Sequence, residues 1–368
     1  MTIDVNEDVL RSVVRTALGR PEGELAGWTI TPCGHRIENM TTDSLDRVSG
    51  TLVDGTPWAV FVKVLHPASA SPTWELIPEE HHAAVLIELN WLDEPRVYRC
   101  GLADDLPEGL RLPQLFHVDE GAERMSLWLE DVADDPAWDL DRYHRSAVTL
   151  GHLAGHWPEE RAVVELGMAR RPLDQLFFGK ISNFDLPMQA DDGFWSEPSV
   201  ASAVDDRHRA DLERLRDAVP AMLRRLDGMP HGMAHGDAAP DNLREPGDGT
   251  IVAIDWSYGH CGPLGSDLGQ LLAGRVESGA IDPCQLADIA RVIVDGYLDG
   301  LAAEGSAADR AAVEEAFATH LAVRSVFSAL ILDHRPDLHG PERQALLGRR
   351  AGLARFGLEL ALRALDRV

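Results

Sequence analysis

The chain has 368 residues, of which 45% are hydrophobic and 26% charged, and its formal net charge is −27. This composition is typical of a globular protein, and the length allows two lobes. So acidic a chain does not suit nucleic acid, because a phosphate backbone selects basic surfaces. No apolar run approaches the roughly 20 residues of a membrane helix, and the acidic N-terminus does not resemble a signal peptide. We therefore expect a cytoplasmic protein with no membrane partner.

Cysteine and lysine usage adds two constraints. The four cysteines (Cys33, Cys100, Cys261 and Cys284) are scattered and form no C-x-x-C pair, which favours a reduced protein without disulfides or a zinc module. Of the 34 basic residues only two are lysines, Lys63 and Lys180. In a chain that otherwise uses arginine, a retained lysine indicates a position that requires an ammonium group.

The first 65 residues predict a helix followed by three strands. Apolar residues at helical spacing predict a helix over residues 5–18, which Gly19 ends. The period then changes to two and predicts strands at residues 27–32, 45–53 and 58–65. The loop between the first two strands, residues 34–44, carries small polar side chains that include Thr42 and Ser44, without a G-x-G-x-x-G or Walker A motif.

Lys63 is the single charge in the apolar third strand. A lysine there either discourages edge-to-edge aggregation or pairs with a helix glutamate in a functional site, and we favour the second interpretation. Residues 78–92 have a helical pattern. The candidate partners in and after this helix are Glu79, Glu80, Glu88 and Glu94.

Two more strands are predicted at residues 112–118 and 125–129, and the remainder of the chain is mainly helical. The second strand ends in Trp128-Leu129-Glu130-Asp131, where the sequence changes from apolar to acidic. Helices are predicted at residues 143–156, 207–228, 284–303, 307–334 and 341–366. Residues 158–198, rich in Gly, Pro and aromatics, are predicted to be irregular.

A polar loop between residues 234 and 243 carries the strongest functional signal. Asp237 and Asn242 are separated as in the protein-kinase loop H-R-D-x-x-x-x-N, with Gly236 in place of the Arg, and Asp255 ends the following apolar run. Phosphoryl transfer uses one carboxylate to accept the hydroxyl proton, and an amide and a second carboxylate to hold magnesium. An ordinary turn and a solvated strand end are the alternative, but the order and spacing favour a phosphoryl-transfer site.

H-G-D-x-x-x-x-N followed by I-D-W resembles the signature of the aminoglycoside phosphotransferase-like kinases. The similarity extends to G-P-x-G-x-D-L-x-x-L at residues 262–271, and it covers roughly residues 27–275. The resemblance implies an α+β, protein-kinase-like fold with two lobes. A small lobe with an antiparallel β-sheet would comprise residues 1–126, a hinge residues 127–131, and a larger, mainly helical lobe residues 132–368.

The resemblance also implies roles for individual residues. Asp237 would be the catalytic base, Asn242 and Asp255 would bind Mg²⁺, and Lys63 would hold the nucleotide phosphates. The stretch Trp91 to Tyr98 is similar to the family's W-x-R-E-x-x-x-Y, with Asp93 in place of the Arg, which assigns Glu94 as the partner of Lys63. The remaining nucleotide contacts would come from the polar loop and the hinge, namely Thr42, Ser44, Trp128, Leu129 and Glu130.

Three residues near the predicted site are expected to support its structure. His235 would brace the loop through a backbone hydrogen bond. Asp267 would be chiefly structural, with Ser266 or Asp267 at the start of the next helix. Ser257 stands where the family often has Glu in I-D-W-E, which leaves the metal-binding residues complete and changes their support.

The activity implied is an O-phosphotransferase that moves the γ-phosphate of ATP or GTP to a hydroxyl of a small molecule. The acidic charge favours a cationic acceptor, such as an aminoglycoside or other amino-bearing antibiotic in resistance or self-resistance, although acidity also serves solubility. Nucleoside antibiotics are further candidates, and a metabolic sugar or amino-sugar kinase is the alternative. The complete set of Lys63, Asp237, Asn242 and Asp255 opposes a silent pseudokinase, and a metal-dependent hydrolase would lack clustered His ligands.

Overall fold

Helix α1 (Glu7–Leu18) precedes a five-stranded antiparallel sheet that forms the smaller lobe. The computed structural model describes residues 5–34, 37, 39–135, 137–171, 173–332 and 337–367. Strands β1, β2 and β3 come first, β4 pairs elsewhere, and β5 and β6 complete the sheet in the spatial order β1-β2-β3-β6-β5. Their bounds are Leu25–Pro32, Thr42–Leu52, Pro57–Leu65, Leu110–Arg111, Leu115–Glu120 and Met125–Glu130.

The two faces of β3 have different neighbours, because successive side chains of a strand point to opposite faces. Val60, Val62 and Val64 are fully buried in a cluster with Leu10 and Val14 of α1. Lys63 therefore belongs to the other face. In the register its neighbours are Leu45 on β2 and Leu127 on β6, so it lies in the centre of the sheet and not at an edge.

Two strands begin three residues away from the predicted position. Strand β2 begins at Thr42 instead of residue 45, because a bulge between Thr42 and Ser44 continues the pairing with Val64 and Leu65 of β3. Strand β5 begins at Leu115 instead of residue 112, and β4 precedes the predicted strand. Pro113 lacks an amide hydrogen and restricts the preceding residue, and β4 instead pairs in parallel with a strand of the larger lobe.

The larger lobe is mainly helical. The helices that follow β6 are α4 to α14, at Leu140–His156, Glu159–Leu166, Leu173–Leu176, Leu186–Ala190, Asp192–Ser196, Pro198–Ala203, Asp206–Asp227, Leu268–Glu277, Leu286–Ala303, Arg310–Leu321 and Gly340–Asp366. Helices α2 (His82–Glu88) and α3 (Asp93–Arg99) lie earlier in the chain, between β3 and β4.

Within the described ranges, no helix combines the length and apolarity needed to cross a membrane.

Four short strands of this lobe frame the polar loop. Strands β7 (His231–Ala234) and β10 (His260–Pro263) form one antiparallel pair, and β8 (Leu243–Arg244) and β9 (Ile251–Ala253) form another. Helices α4 and α12 pack behind them at backbone contact. A Cβ atom at Gly151 would lie 2.1 Å from the carbonyl oxygen of Tyr297, and one at Gly300 would lie 2.1 Å from that of Val148. Larger residues at either position would push the two helices apart.

Three helical predictions are wrong in their extent. Residues 158–198, predicted to be irregular, contain α5 to α8, the first residue of α9 and a π-helix at Phe177–Asp185. The predicted helix at residues 307–334 is α13 followed by a π-helix at Ala322–Val326, and residues 333–336 lie outside the described part. The helix predicted at residues 78–92 begins with a 3-10 turn and ends at Glu88. Apolar spacing over a single turn does not separate an α-helix from a 3-10 or π turn, which accounts for the two predicted helices that are too long.

A buried histidine on α10 makes the fold sensitive to acid. His208 is 4% exposed, and burial, assisted by Arg355, lowers the pKa of its imidazole from 6.5 to about 4. The unfolded chain binds a proton below the ordinary histidine pKa and the folded chain does not, so stability is lost as the pH falls through this window. Between neutral pH and about pH 5, we expect the free energy of unfolding of the wild type to fall by about 2 kcal/mol more than that of His208→Leu. Urea unfolding at both pH values measures this, and equal losses would contradict it.

Candidate active site

The loop after β7 is held by a carboxylate from a distant segment. Asp267 accepts the amide hydrogens of His235 (2.9 Å) and Gly236 (2.8 Å). Burial raises the pKa of this carboxyl group, although His235, the two amides and Arg324 each act to lower it. Asp267 stands at the start of α11 but makes no side-chain cap there. The expected structural role of Asp267 is therefore to hold the loop rather than to cap the helix.

His235 braces the same loop from inside. Its ring is fully buried, its Nδ1 accepts the amide hydrogen of Asp237 (3.2 Å), and its Nε2 lies 2.9 Å from the carbonyl oxygen of Ile254. An accepting Nδ1 requires that the proton sit on Nε2, which then donates to that carbonyl. The ring thus ties the loop to the end of β9.

No side chain fits at Gly236. Its φ is +80°, and a Cβ atom would lie 2.1 Å from the carbonyl oxygen of Tyr258. The polypeptide between β9 and β10 thus passes directly against this residue. The glycine of the H-G-D sequence is required by this close approach.

The carboxylate of Asp237 is partly exposed and is contacted by three side chains. Asn242 Nδ2 donates to Oδ2 (3.1 Å) and to the Asp237 carbonyl oxygen (2.9 Å). Gln270 Nε2 donates to Oδ1 (3.1 Å), and Arg324 Nη2 lies 3.4 Å from the same oxygen. The carboxylate is fixed but remains about one-quarter exposed, with a side-chain value of 27%.

Asn242 and Asp255 lie at the same end of the β8–β9 pair. Leu243 pairs with Ala253, and the Ile254 amide donates to the Asn242 carbonyl oxygen (2.9 Å). Within the described residues, Asn242 Oδ1 and Asp255 Oδ2 accept no hydrogen bond. Two free side-chain oxygens at one site suit a hard cation such as Mg²⁺, which prefers oxygen ligands.

Asp255 has a left-handed backbone, with φ 58° and ψ 69°, as β9 turns into the 3-10 segment Trp256–Tyr258. It is the one non-glycine residue with positive φ among those described. Aspartate tolerates this conformation better than most residues. Ser257 Oγ donates to Asp255 Oδ1 (2.8 Å), so the serine that replaces the family's Glu contacts the carboxylate directly.

Lys63 joins the sheet to the larger lobe through two carboxylates. Its Nζ lies 2.7 Å from Glu94 Oε2 and 2.9 Å from Asp255 Oδ1, and both Lys63 and Glu94 are buried. Burial opposes the lysine charge, but the two carboxylates outweigh it and raise the pKa of the ammonium group. Burial also opposes the Asp255 charge, yet Lys63 lowers the pKa of that carboxyl to about 2. Burial dominates at Glu94 and raises its pKa to about 6 despite Lys63.

The pairing of Lys63 with Glu94 agrees with the W-x-R-E-x-x-x-Y resemblance. Helix α3 begins at Asp93, so Pro95 falls in its first turn, where a missing amide hydrogen breaks no intrahelical bond. Glu88, another candidate, lies 3.3 Å from Arg171 instead. Glu79 and Glu80 are exposed in a 3-10 turn.

The remaining predicted nucleotide contacts lie in the sheet. Thr42 and Ser44 are buried near the start of β2, which corrects their placement in a free loop, and His35, Arg36 and Glu38 of that loop lie outside the described residues. The side chains of Trp128 and Leu129 are also buried. Glu130 ends β6 and pairs with Arg111 (2.6 Å), so of the five expected hinge residues only Asp131 lies beyond the strand.

Sequence reasoning did not find three contributors, Gln270, Arg324 and the direct contact from Ser257. Gln270 occupies a variable position of the G-P-x-G-x-D-L-x-x-L segment. Arg324 is 87 residues from Asp237 in the chain and lies in a helical stretch without a motif. No local pattern could indicate that either side chain reaches the catalytic loop.

Solved structures of similar fold span nearly the whole chain. An aminoglycoside phosphotransferase from Alicyclobacillus acidocaldarius has a TM-score of 0.57 at 13% identity and covers 100% of this chain and 98% of its own. The spectinomycin phosphotransferase APH(9)-Ia, solved with ADP and spectinomycin, has 0.54 at 11%, covering 98% of each chain. Amicoumacin kinase hAmiN, solved with AMP-PNP, Ca²⁺ and Ami, has 0.51 at 14%, covering 98% and 96%. The expected kinase-like, two-lobe fold is confirmed.

A family model makes the assignment more specific. It describes the phosphotransferase enzyme family and matches residues 102–309, which is more than half of the chain. The chain belongs to this family, and its class is that of small-molecule kinases, as the H-G-D and I-D-W sequences predicted. No curated protein matches the chain.

The buried charges predict a strong energetic coupling. Lys63→Met leaves the carboxylates of Glu94 and Asp255 without their cation, which we expect to cost about 3–5 kcal/mol. Adding Glu94→Gln removes one of the two unpaired charges. The double variant should therefore be destabilised by about 1–3 kcal/mol less than the sum of the two single destabilisations. Chemical denaturation of the four proteins measures the coupling. The exposed Arg363–Glu359 pair is the control, with a coupling below about 0.5 kcal/mol, and additive effects at Lys63 and Glu94 would contradict the prediction.

The close approach at Gly236 gives a second prediction. Gly236→Ala adds a methyl group against the Tyr258 carbonyl, whereas Gly55 has a similar φ of +84° and nothing within 4 Å of the added atom. We expect Gly55→Ala to cost about 1 kcal/mol for its backbone conformation, and Gly236→Ala to cost at least about 2 kcal/mol more. Thermal unfolding of both variants tests this difference. Equal melting temperatures of the two variants would contradict the prediction, because the loop would then accommodate the added methyl group without loss of stability.

Proposed function

We propose that the chain transfers the γ-phosphate of ATP or GTP to a hydroxyl group of a small, amino-bearing acceptor. The observation that carries this proposal is the convergence of four groups from separate segments. Asp237 is hydrogen-bonded to Asn242, Asn242 lies beside Asp255, and Asp255 contacts Lys63 across the two lobes. Family membership supplies the reaction class, and these side chains supply groups for each part of it.

Asp237 is the proposed catalytic base. Its contacts with Asn242, Gln270 and Arg324 fix the carboxylate, while its remaining exposure leaves room for an acceptor hydroxyl. The carboxylate would orient that hydroxyl toward the phosphorus and take its proton as the new bond forms. Most of the rate enhancement would come from this positioning.

Asn242, Asp255 and Lys63 are the proposed phosphate-side groups. The free oxygens of Asn242 and Asp255 would hold Mg²⁺, which neutralises charge on the nucleotide phosphates when bound. Lys63 would add its ammonium charge on the same side, oriented by Glu94.

The backbone of residues 128–130 is the proposed nucleobase contact. Thr42 and Ser44 remain proposed phosphate contacts, with their buried side chains placing any such contact at the start of β2.

The proposed acceptor class rests on the net charge of the chain and on the ligands found in structures of similar fold. With a net charge of −27 the chain attracts cationic ligands. Two of the similar structures contain spectinomycin and Ami, respectively. We therefore place amino-bearing antibiotics first, in a resistance or self-resistance role, and keep a metabolic sugar or amino-sugar kinase as the second candidate.

Nucleoside diphosphate release, measured with ATP or GTP and Mg²⁺ over a panel of amino antibiotics, nucleoside antibiotics and amino sugars, tests the proposal. We expect acceptor-dependent turnover that Asp237→Asn lowers by at least ~1,000-fold, because the hydroxyl loses its base while the phosphate-side groups stay in place. Nucleotide affinity should change little. Asp248→Asn is the matched control, since Asp248 is an exposed carboxylate in the β8–β9 turn.

Each other outcome has a defined meaning. Full activity of Asp237→Asn would remove Asp237 from the reaction, and the proposed mechanism with it. Turnover confined to neutral sugars would favour the metabolic kinase. A protein that binds neither ATP nor GTP would contradict the proposed reaction altogether.

A further inference from the structure

We infer that Arg324 is a positioning residue for the catalytic loop, supplied by the C-terminal third of the chain. This inference rests on the proposed role of Asp237. Arg324 lies on the π-helix Ala322–Val326, directly after α13. Its guanidinium contacts the loop at the two consecutive residues that the reaction most depends on.

The guanidinium contacts the loop with two different nitrogens. Nη1 donates to the carbonyl oxygen of Gly236 (2.8 Å), and Nη2 lies 3.4 Å from Oδ1 of Asp237. A planar guanidinium can contact two acceptors in a fixed relative orientation, which a lysine ammonium cannot do equally well. Arg324 thereby orients the Asp237 side chain relative to its own backbone.

The two carboxylate oxygens of Asp237 consequently have different surroundings. Oδ1 is shared between Arg324 and Gln270, whereas Oδ2 accepts from Asn242. Removing Arg324 would leave Gln270 alone on Oδ1 and would loosen the orientation of the carboxylate, which only two neutral amides would then hold. The orientation of the base toward an incoming hydroxyl thus depends on a residue that itself need not touch the acceptor.

The catalytic loop cannot provide this cation itself. The preceding position is Gly236, where a Cβ atom would collide with the Tyr258 carbonyl, so the arginine of the H-R-D pattern has no room there. Arg324 instead reaches the Gly236 carbonyl and the Asp237 carboxylate from another segment, with its guanidinium 5.5 Å from the Tyr258 ring centre. The side chain is 20% exposed, so its charge is partly shielded from water.

The local structure around Arg324 holds the residue in place. π-helical turns are rare and concentrate at functional sites. The π-helix is followed by Phe327, whose ring packs against Phe177 at 5.7 Å, and by Ser328, which accepts from Lys180 at 3.0 Å. Lys180, the second lysine of the chain, also pairs with the buried Asp185 (2.7 Å). The segment behind Arg324 is thus anchored to the other π-helix.

Arg324→Ala, compared with Arg324→Lys and the wild type, tests the inference. We expect Arg324→Ala to lower kcat by ~100-fold, because the base is misplaced, with KM for the nucleotide within ~3-fold of the wild type. Arg324→Lys should be intermediate. Millimolar guanidinium chloride should restore part of the activity of Arg324→Ala and none of that of Asp237→Asn. Arg291→Ala is the control, an exposed arginine on α12.

A second readout requires no acceptor. Hydrogen–deuterium exchange should be faster in Arg324→Ala than in the wild type for the amides of residues 236–239, and unchanged there in Arg291→Ala. Unchanged exchange in this loop, or a loss of kcat that guanidinium does not restore, would overturn the inference. If the wild type turns over no acceptor, the proposed function fails, while the exchange result still decides whether Arg324 positions the loop.

Discussion

The buried group of Lys63, Glu94 and Asp255 is the interaction on which the site depends. One ammonium contacts two carboxylates from two other segments, at 2.7 and 2.9 Å. Removing charges from water is costly, and such a group persists only when opposite charges are close and well oriented. A compact ammonium can stand between two carboxylates that approach from different directions, whereas a planar guanidinium would require coplanar partners. This geometry explains why an arginine-rich chain has a lysine at this position.

The catalytic loop is held in a comparable way, by groups from several distant segments. Asp267 binds its amides, His235 ties it to β9, and Arg324 contacts Gly236 and Asp237 from the C-terminal third. These contacts come from residues within and well after the loop. The position of Asp237 is therefore a property of the assembled larger lobe and not of ten residues of local sequence. Substitutions far along the chain can affect the reaction without touching any reacting group.

The sequence was most informative where chemistry and spacing coincide. Asp237, Asn242, Asp255 and Lys63 were proposed as site residues because few other roles require those residue types in that order, and Glu94 was added from the resemblance. The structure brings these side chains together, and their roles stay predictions. Boundaries were less accurate, since the bulge at Thr42 and the break at Pro113 depend on which strand is the neighbour. Gln270 and Arg324 could not be predicted because their contacts join segments that meet only in the folded chain. The residues assigned to the nucleotide's base and phosphates, 128–130, Thr42 and Ser44, remain predictions.

The left-handed backbone of Asp255 restricts that position twice over. A residue there must tolerate φ 58°, a conformation that glycine, asparagine and aspartate adopt at low cost and β-branched residues avoid. Its carboxylate must also face Lys63. In related chains that have lost the reaction, we therefore expect this position to change mainly to asparagine or glycine. Lys63 would then change only together with Glu94, because either charge left alone in the buried group is costly. Joint loss of the lysine and the glutamate is consequently the change that marks such a chain.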